Sequence, residues 1–363
     1  MPSPQNPSVA VVGAAGFVGR ELLRRLQTLD MRATAIVRGL PELSVDGDFH
    51  ACSSEPAGLA GEGFDVVVNL AYPSGGPRYE QADQNAAIAR TVAGLLKDGG
   101  RLIQVSTLAV FGGALDRPIV VGPVSKVRDT TYVESKIAAE QMFVRQQEER
   151  GLLLDIVRLG NVWGYASGTW ALPVVQRLLT GRPVGVGGTP GYSNATDVKN
   201  TADYLAFLIG AQHGDSGVRY HHMAEFSSVT WSEWIEPIAQ AMGVTPVYAD
   251  PSALAMPASW RQELAETFAP LRPRSVYRKL SAERITGSWT RTVVRNLPMP
   301  ARARLQSSSL VFAAGPELDR AEQSFLAIMA GEREFAPSVD RAWSPVLSKE
   351  QSLERVLLWL ERG

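Results

Sequence analysis

Residues 9–19 read "VAVVGAAGFVG", and the next ten, "RELLRRLQTL", set Leu22, Leu23, Leu26 and Leu29 at helical spacing. A short apolar run, a glycine-rich turn and an amphipathic helix thus follow one another directly. Gly13, Gly16 and Gly19 stand at the junction. Glycine there lets the backbone turn tightly and approach a pyrophosphate, while the helix N-terminus offers unpaired N–H groups and the positive end of its dipole. The spacing is GxxGxxG rather than the GxGxxG of the dinucleotide fingerprint, so the flanking strand and helix carry the inference.

Further runs repeat the first one: "ATAIV" (33–37), "FDVVVNLAY" (64–72), "RLIQVST" (101–107) and "LLDIVRLG" (153–160). Each has the apolar character of a strand buried on both faces of a parallel sheet. Helical stretches lie between them at 79–99 and 132–151. The alternation predicts an α/β fold, a Rossmann-like doubly wound parallel sheet with a smaller C-terminal substrate-binding cap. The dinucleotide-binding domain is expected over 8–163 plus about 195–225, and the cap over about 164–194 plus 226–363. Glycines and prolines cluster at 181–194, a helix returns at 197–211, and another is expected within 226–242 behind Thr230 or Ser232 as cap. Two more helical stretches fall near 317–331 and 349–361. The tryptophans from Trp231 onward are expected to form cap core.

The chain of 363 residues carries a net charge of −1, with 45% hydrophobic and 20% charged residues, ordinary values for a soluble globular protein. This balance gives no general case for nucleic acid or a membrane surface as partner. Cys52 is the one cysteine, which excludes a disulfide framework and a cysteine-based zinc site and fits a reducing, cytoplasmic setting. The opening "MPSPQNPS" lacks the pattern of a signal peptide. No apolar run approaches the roughly 18 residues of a membrane span. His221 and His222 are adjacent, with no third ligand suggested, so a metal site is not expected. Residues 271–304 hold nine basic residues and one acid, a net charge of +8. That segment reads as a solvated face paired with acids elsewhere, with a docking surface for an anionic substrate or partner as the sharper alternative.

The second strand ends in "AIVRGL". An acid there would hydrogen-bond the adenosine ribose hydroxyls. Arg38 occupies the place, and a guanidinium suits a 2′-phosphate. The cofactor preference therefore leans to NADP, with NAD left open.

"TYVESK" (131–136) puts Tyr132 and Lys136 four apart at the start of a helix, on one face, about 25 residues after a strand ending in Ser106 and Thr107. With these residues the chain resembles the short-chain dehydrogenase/reductase superfamily, in particular its extended branch of NAD-dependent epimerase/dehydratase-like enzymes. The matching features, in order, are "GAAGFVG", "DVVVNLA", "QNAAIARTVAGLL", "VSTLAVFG", "YVESK" and "RLGNVWG", spanning residues 9–164. The resemblance implies that Tyr132 is the catalytic acid–base and that Lys136 binds the nicotinamide ribose and lowers the phenol's pKa. It implies that Thr107 hydrogen-bonds the substrate oxygen and that Asn161 touches substrate. Gly13, Gly16, Phe17, Val18, Gly19, Leu70, Ala71 and Ser106 would contact the cofactor, together with Arg38, Tyr132 and Lys136. Asn85 would be structural. A homodimer is expected, because such relatives pair partly through the tyrosine-bearing helix.

There are departures. Cys52 or Ser53 stands where relatives carry an aspartate near the adenine. Ser193 and Asn200 stand where nucleotide-sugar enzymes carry an arginine and an aspartate. Leu108 and Ala109 replace the acids that dehydratases place after the threonine. The reading that follows is nicotinamide-dependent hydride transfer at a secondary alcohol or ketone of a sugar-like or secondary-metabolite substrate. The alternatives are a nucleotide-sugar epimerase or dehydratase that retains NAD and, behind it, a non-enzymatic NADP-binding regulator.

Overall fold

The computed structural model describes residues 7–37, 51–53, 63–73, 78–112, 119–125, 131–165, 167–211, 217–254 and 320–362. The basic segment 271–304 and Arg38 lie outside the described residues. Eleven strands are described: β1 (Val9–Val12), β2 (Ala33–Ile36), β3 (Ala51–Ser53), β4 (Phe64–Asn69), β5 (Leu96–Thr107), β6 (Leu153–Leu159), β7 (Asn161–Trp163), β8 (Gly185–Val186), β9 (Ala195–Asp197), β10 (Gly217–Met223) and β11 (Tyr248–Ala249). The described α-helices are α1 (Phe17–Thr28), α2 (Arg78–Leu95), α3 (Thr131–Arg150), α4 (Ala171–Thr180), α5 (Val198–Gly210), α6 (Trp231–Ala241), α7 (Arg320–Met329) and α8 (Lys349–Arg362).

Seven strands form one sheet in the order β10-β6-β5-β4-β1-β2-β3, and every neighbouring pair is parallel. Its faces follow from the two-residue period of a strand. Val9 and Val11 of β1 join Leu22, Leu23 and Leu26 of α1 and Leu205 and Leu208 of α5 in one buried cluster. Ala10 and Val12 join Ala89, Val92 and Leu95 of α2 and Phe143 of α3 in another. Both faces are covered by helices, so the strands read as unbroken apolar runs. The expected Rossmann-like doubly wound sheet is what the chain forms.

Sequence-based bounds shift in two places. The helix expected over 79–99 ends at Leu95, and Leu96 already pairs with Phe64 in the sheet. Within this sheet β3 and β10 were not anticipated, nor were the short strands β7, β8, β9 and β11 outside it. β10 reads "GVRYHHM", whose polar and histidine content hides a strand that pairs along its whole length with β6.

The chain forms two compact units. The first comprises Met1–Gly164, Asn194–Ser228 and Arg333–Ser352, and the second Tyr165–Ser193, Val229–Glu332 and Leu353–Gly363. In the first, the 333–352 segment pairs with the sheet's edge strand: His222 and Ser338 exchange backbone hydrogen bonds of 2.9 and 2.8 Å. Trp343, expected as cap core, packs instead in the cluster around β1 and donates its indole N–H to Asp203 at 2.8 Å. In the second, α6 starts with a full capping box between Thr230 and Glu233. Trp231 and Trp234 are buried there, and Trp231 packs against Trp170 with ring centres 5.0 Å apart and planes tilted by 32°. Among the described residues, no helix is long and apolar enough to cross a membrane.

Candidate active site

The sheet's strand order reverses between β1 and β4, so the connections leaving their carboxyl ends run to opposite sides and open a crevice. The glycine turn lies there. Gly13 has φ +82°, a left-handed conformation that suits glycine. A Cβ on Gly13 would stand 2.8 Å from Ala71 N and 3.0 Å from Leu70 C, so the loops after β1 and β4 meet through bare backbone. Gly16 is the N-cap of α1 with no side-chain cap, and the helix has no acid in its first turn. A Cβ on Gly19 would come within 2.6 Å of Gly13 O and Ala14 O, which lets α1 pack hard against the turn. Phe17 and Val18 are half-buried in that first turn. Uncapped helix N–H groups and a turn with no room for side chains are what a pyrophosphate-bearing dinucleotide fits.

On the neighbouring strand, β5 ends at Thr107, whose Oγ1 accepts from Ala109 N at 3.2 Å and caps a single 3₁₀ turn, Leu108–Phe111. The Thr107 side chain lies near enough to the Tyr132 phenol, at the start of α3, to favour its ionised form. One turn on, Lys136 is only 6% exposed and donates from Nζ to Val105 O at 3.3 Å. Its ammonium lies 6.0 Å from the centre of the Tyr132 ring. Thr107, Tyr132 and Lys136 therefore converge, at the carboxyl end of β5.

A fourth member was missed by sequence reasoning. Tyr72, just beyond β4, stands edge-on to Tyr132 with ring centres 5.4 Å apart and planes at 86°, and its face lies 5.1 Å from Lys136 Nζ. The tyrosine that closes "FDVVVNLAY" was the available signal.

Electrostatics differ from the sequence-based expectation. Tyr132 is 39% exposed as a residue, yet desolvation of its phenol pushes the pKa above its usual value, the nearby Thr107 side chain opposes the rise, and Tyr72 adds to it. The lowering by Lys136 that the family resemblance implies is not among these contributions. Lys136 is itself brought down to about 8, by burial, with the Glu140 carboxylate acting in the opposite direction.

Behind Lys136 lies a charge cluster that sequence reasoning also missed. Glu140 Oε1 accepts from Ser106 Oγ at 2.5 Å and from Arg158 Nε at 3.1 Å, while Oε2 accepts from Arg158 Nη2 at 2.8 Å. Arg158 also donates to Gly122 O at 2.8 Å and faces His222 Nε2 at 3.3 Å. Burial and the Arg158 charge hold the His222 imidazole down at about 4. Ser106, expected at the cofactor, is buried with its hydroxyl committed to Glu140.

The remaining expected residues are placed as follows. Asn161 opens β7 and donates its backbone N–H to Asn194 O at 2.9 Å. Asn85 of α2 donates to Ser135 O at 3.1 Å and Ser135 Oγ at 2.7 Å, tying α2 to α3. Cys52 lies on β3, paired with Ala35. Ser193 is buried and accepts from Trp234 Nε1 at 3.1 Å, and Asn200 is bonded to Glu225 and Leu347. His221 and His222 point to opposite faces of β10. His221 bridges Asp155 at 2.8 Å and Tyr204 at 2.7 Å. Burial works to raise the Asp155 pKa, but the His221 hydrogen bond and the Arg101 charge outweigh it and hold the carboxyl well below its usual range.

A family model described as the NAD dependent epimerase/dehydratase family matches residues 9–220. A curated relative, dTDP-6-deoxy-L-talose 4-dehydrogenase (NAD(P)(+)) of Kitasatospora kifunensis, is 30% identical over 172 residues, covering 43% of this chain and 52% of the relative. The match thus spans about half of that protein's length. Among solved structures, the Bordetella bronchiseptica enzyme WbmG in complex with NAD aligns with a TM-score of 0.60 at 14% identity, covering 100% of this chain and 96% of that one. The UDP-N-acetylglucosamine 4-epimerase from Bacillus cereus aligns with a TM-score of 0.54 at 16% identity, covering 71% and 92%. At these identities the likeness to the solved structures is one of fold.

Proposed function

The chain belongs to the NAD dependent epimerase/dehydratase family, and from that premise we propose that it reduces a ketone, or oxidises the matching secondary alcohol, on a sugar-like or secondary-metabolite substrate. The nicotinamide, when bound, supplies or accepts the hydride at that carbon. The chain's own residues handle the proton. In the reducing direction Tyr132 gives its phenolic proton to the carbonyl oxygen as that oxygen gains negative charge, and Thr107 donates a hydrogen bond to the same oxygen. A phenol whose pKa burial has raised is protonated at neutral pH, the form an acid catalyst needs. The Lys136 ammonium stabilises the phenolate left behind. In the oxidising direction the same groups run in reverse.

The observation that supports this reading is the convergence of Thr107, Tyr132 and Lys136, with Thr107 close enough to act on the Tyr132 phenol and the Lys136 ammonium 6.0 Å from the Tyr132 ring centre. Gly13, Gly16, Gly19, Leu70 and Ala71 would line the dinucleotide, with Phe17 and Val18 beside them. The first unit would hold the cofactor and the second would act as the substrate-binding cap. NADP is the preferred cofactor on the strength of Arg38.

A curated relative that is a 4-dehydrogenase of a dTDP-linked 6-deoxyhexose supports redox turnover over epimerisation and makes nucleotide-linked deoxyhexoses and their 4-keto forms the first substrates to test. The test begins with purification. A protein that arrives empty and takes up NADPH fits the reading, and NAD(H) released in stoichiometric amount on denaturation would replace it with an epimerase. A homodimer is part of the proposal, checked by light scattering.

A further inference from the structure

Lys136 sits in a dry place. At 6% exposed, it has one hydrogen bond described, to Val105 O at 3.3 Å, and aromatic faces at 5.1 and 6.0 Å. Burial of an ammonium favours its neutral form. What opposes that is one helical turn away. Residues i and i+4 share a helix face, so Glu140 follows Lys136 down α3 into the space between the helix and the sheet. Its carboxylate is fixed by three donors, from Ser106 Oγ and from Arg158 Nε and Nη2. Arg158 is fully buried, so a row of alternating charges, Lys136, Glu140, Arg158, runs inward from the site.

We infer that Glu140 is a positioning residue for the proton relay: from one helical turn away, its carboxylate favours the charged Lys136 ammonium beside Tyr132, and Arg158 with Ser106 fixes that carboxylate in place. The inference rests on the reading of Lys136 as part of the relay. Two features make the direction of the effect definite. First, an arginine cannot shed its charge in a protein, whereas a lysine can. If Glu140 lost its charge, two cations would remain in the interior, and Lys136 would be the one to deprotonate. Second, no other described carboxylate faces Lys136. From its own helix it is faced by Tyr132 and Glu140, from beyond β4 by Tyr72, and from β5 by Val105 O. β6 contributes Arg158, and β10 contributes His222 and Tyr220, which meet Arg158 and not the lysine. His222 stays neutral down to about 4, so it adds no third cation at neutral pH. The Arg158 hydrogen bond to Gly122 O extends the network to the loop between Thr107 and Tyr132.

The test uses the full chain labelled with ¹³C-lysine. Six lysines make the spectrum tractable, and Lys136→Met assigns the signal. The Lys136 Cε resonance is followed through a pH titration in the wild type, Glu140→Gln, Glu140→Asp and the charge-neutral double variant Glu140→Gln/Arg158→Met. The double variant guards against unfolding of the single one, which leaves Arg158 unpaired. The expected wild-type midpoint is about 8. In both glutamine variants it falls by about 1 unit or more, and Glu140→Asp restores most of the loss. An unmoved midpoint in either folded glutamine variant overturns the inference. The dissociation constant for NADP⁺ is measured over the same pH range. The inference expects its alkaline weakening to begin at lower pH in the glutamine variants, about fivefold in affinity at pH 8 if the midpoint moves by one pKa unit. A midpoint that moves while NADP⁺ affinity ignores it would overturn the relay reading of Lys136, separately from the link between Glu140 and the lysine.

Discussion

The ring of Tyr72 lies over the Lys136 ammonium, with 5.1 Å between the nitrogen and the ring centre. An aromatic face attracts a cation, yet it replaces water that would hold the charge better. The net outcome is a lysine at about 8 instead of its usual 10.5, with burial the main cause.

That shift makes a stability prediction. The folded value lies below the unfolded one, so between pH 8 and 10.5 the unfolded chain binds more protons and stability rises with pH. Below pH 8 both states are charged and the penalty is constant. Lys136→Met should therefore stabilise the protein at pH 7 by about 3 kcal/mol, and the gain should shrink as pH climbs through that window. Urea unfolding at several pH values reads it. A destabilised variant whose difference from wild type ignores pH would be the contrary result.

His222 predicts the acid side. Its folded value of about 4 lies below the ordinary 6.5, so its contribution is complete above pH 6.5 and is lost as pH falls towards 4. The loss amounts to about 3 kcal/mol over that interval. His222→Gln should show a shallower fall in melting temperature between those pH values. Parallel wild-type and variant curves would exclude this histidine as the cause.

Gly13 predicts a difference between two glycines. Gly13→Ala meets both a left-handed backbone and Ala71 N at 2.8 Å, whereas Gly188→Ala, at φ +72°, meets open space. The second change should cost about 1–2 kcal/mol from backbone strain alone. The first should cost more and should also weaken NADP⁺ binding at least tenfold, read by calorimetry. Equal costs and an unchanged affinity would remove the close approach at Gly13 from the account.

These residues also show which features the sequence made legible. The apolar strands and the glycine turn were, because burial on both faces leaves a run of Val, Ile and Leu that few other structures require. Tyr132 and Lys136 were legible because a helix places i and i+4 together. Glu140 and Arg158 were not. A buried ion pair uses the same residue types as a solvated surface, and only the fold reveals that Arg158 lies under α3. β10 was hidden for a related reason: His221 and His222 have buried hydrogen-bonding partners on opposite faces, so the strand needs no apolar alternation. Tyr72 closes an apolar run that reads as strand, but its place over the lysine depends on how the loop after β4 turns.

The central claim is a proton relay through Tyr132. The direct measurement is turnover of 4-deuterated NADPH with dTDP-linked 4-keto-6-deoxyhexoses, following deuterium transfer to the sugar by mass spectrometry in wild type and Tyr132→Phe. The account predicts deuterium at the former carbonyl carbon in the wild type. In Tyr132→Phe it predicts a rate lower by about 10²–10⁴-fold, with NADPH affinity nearly unchanged. A Tyr132→Phe enzyme that transfers deuterium within a few-fold of the wild-type rate would contradict it.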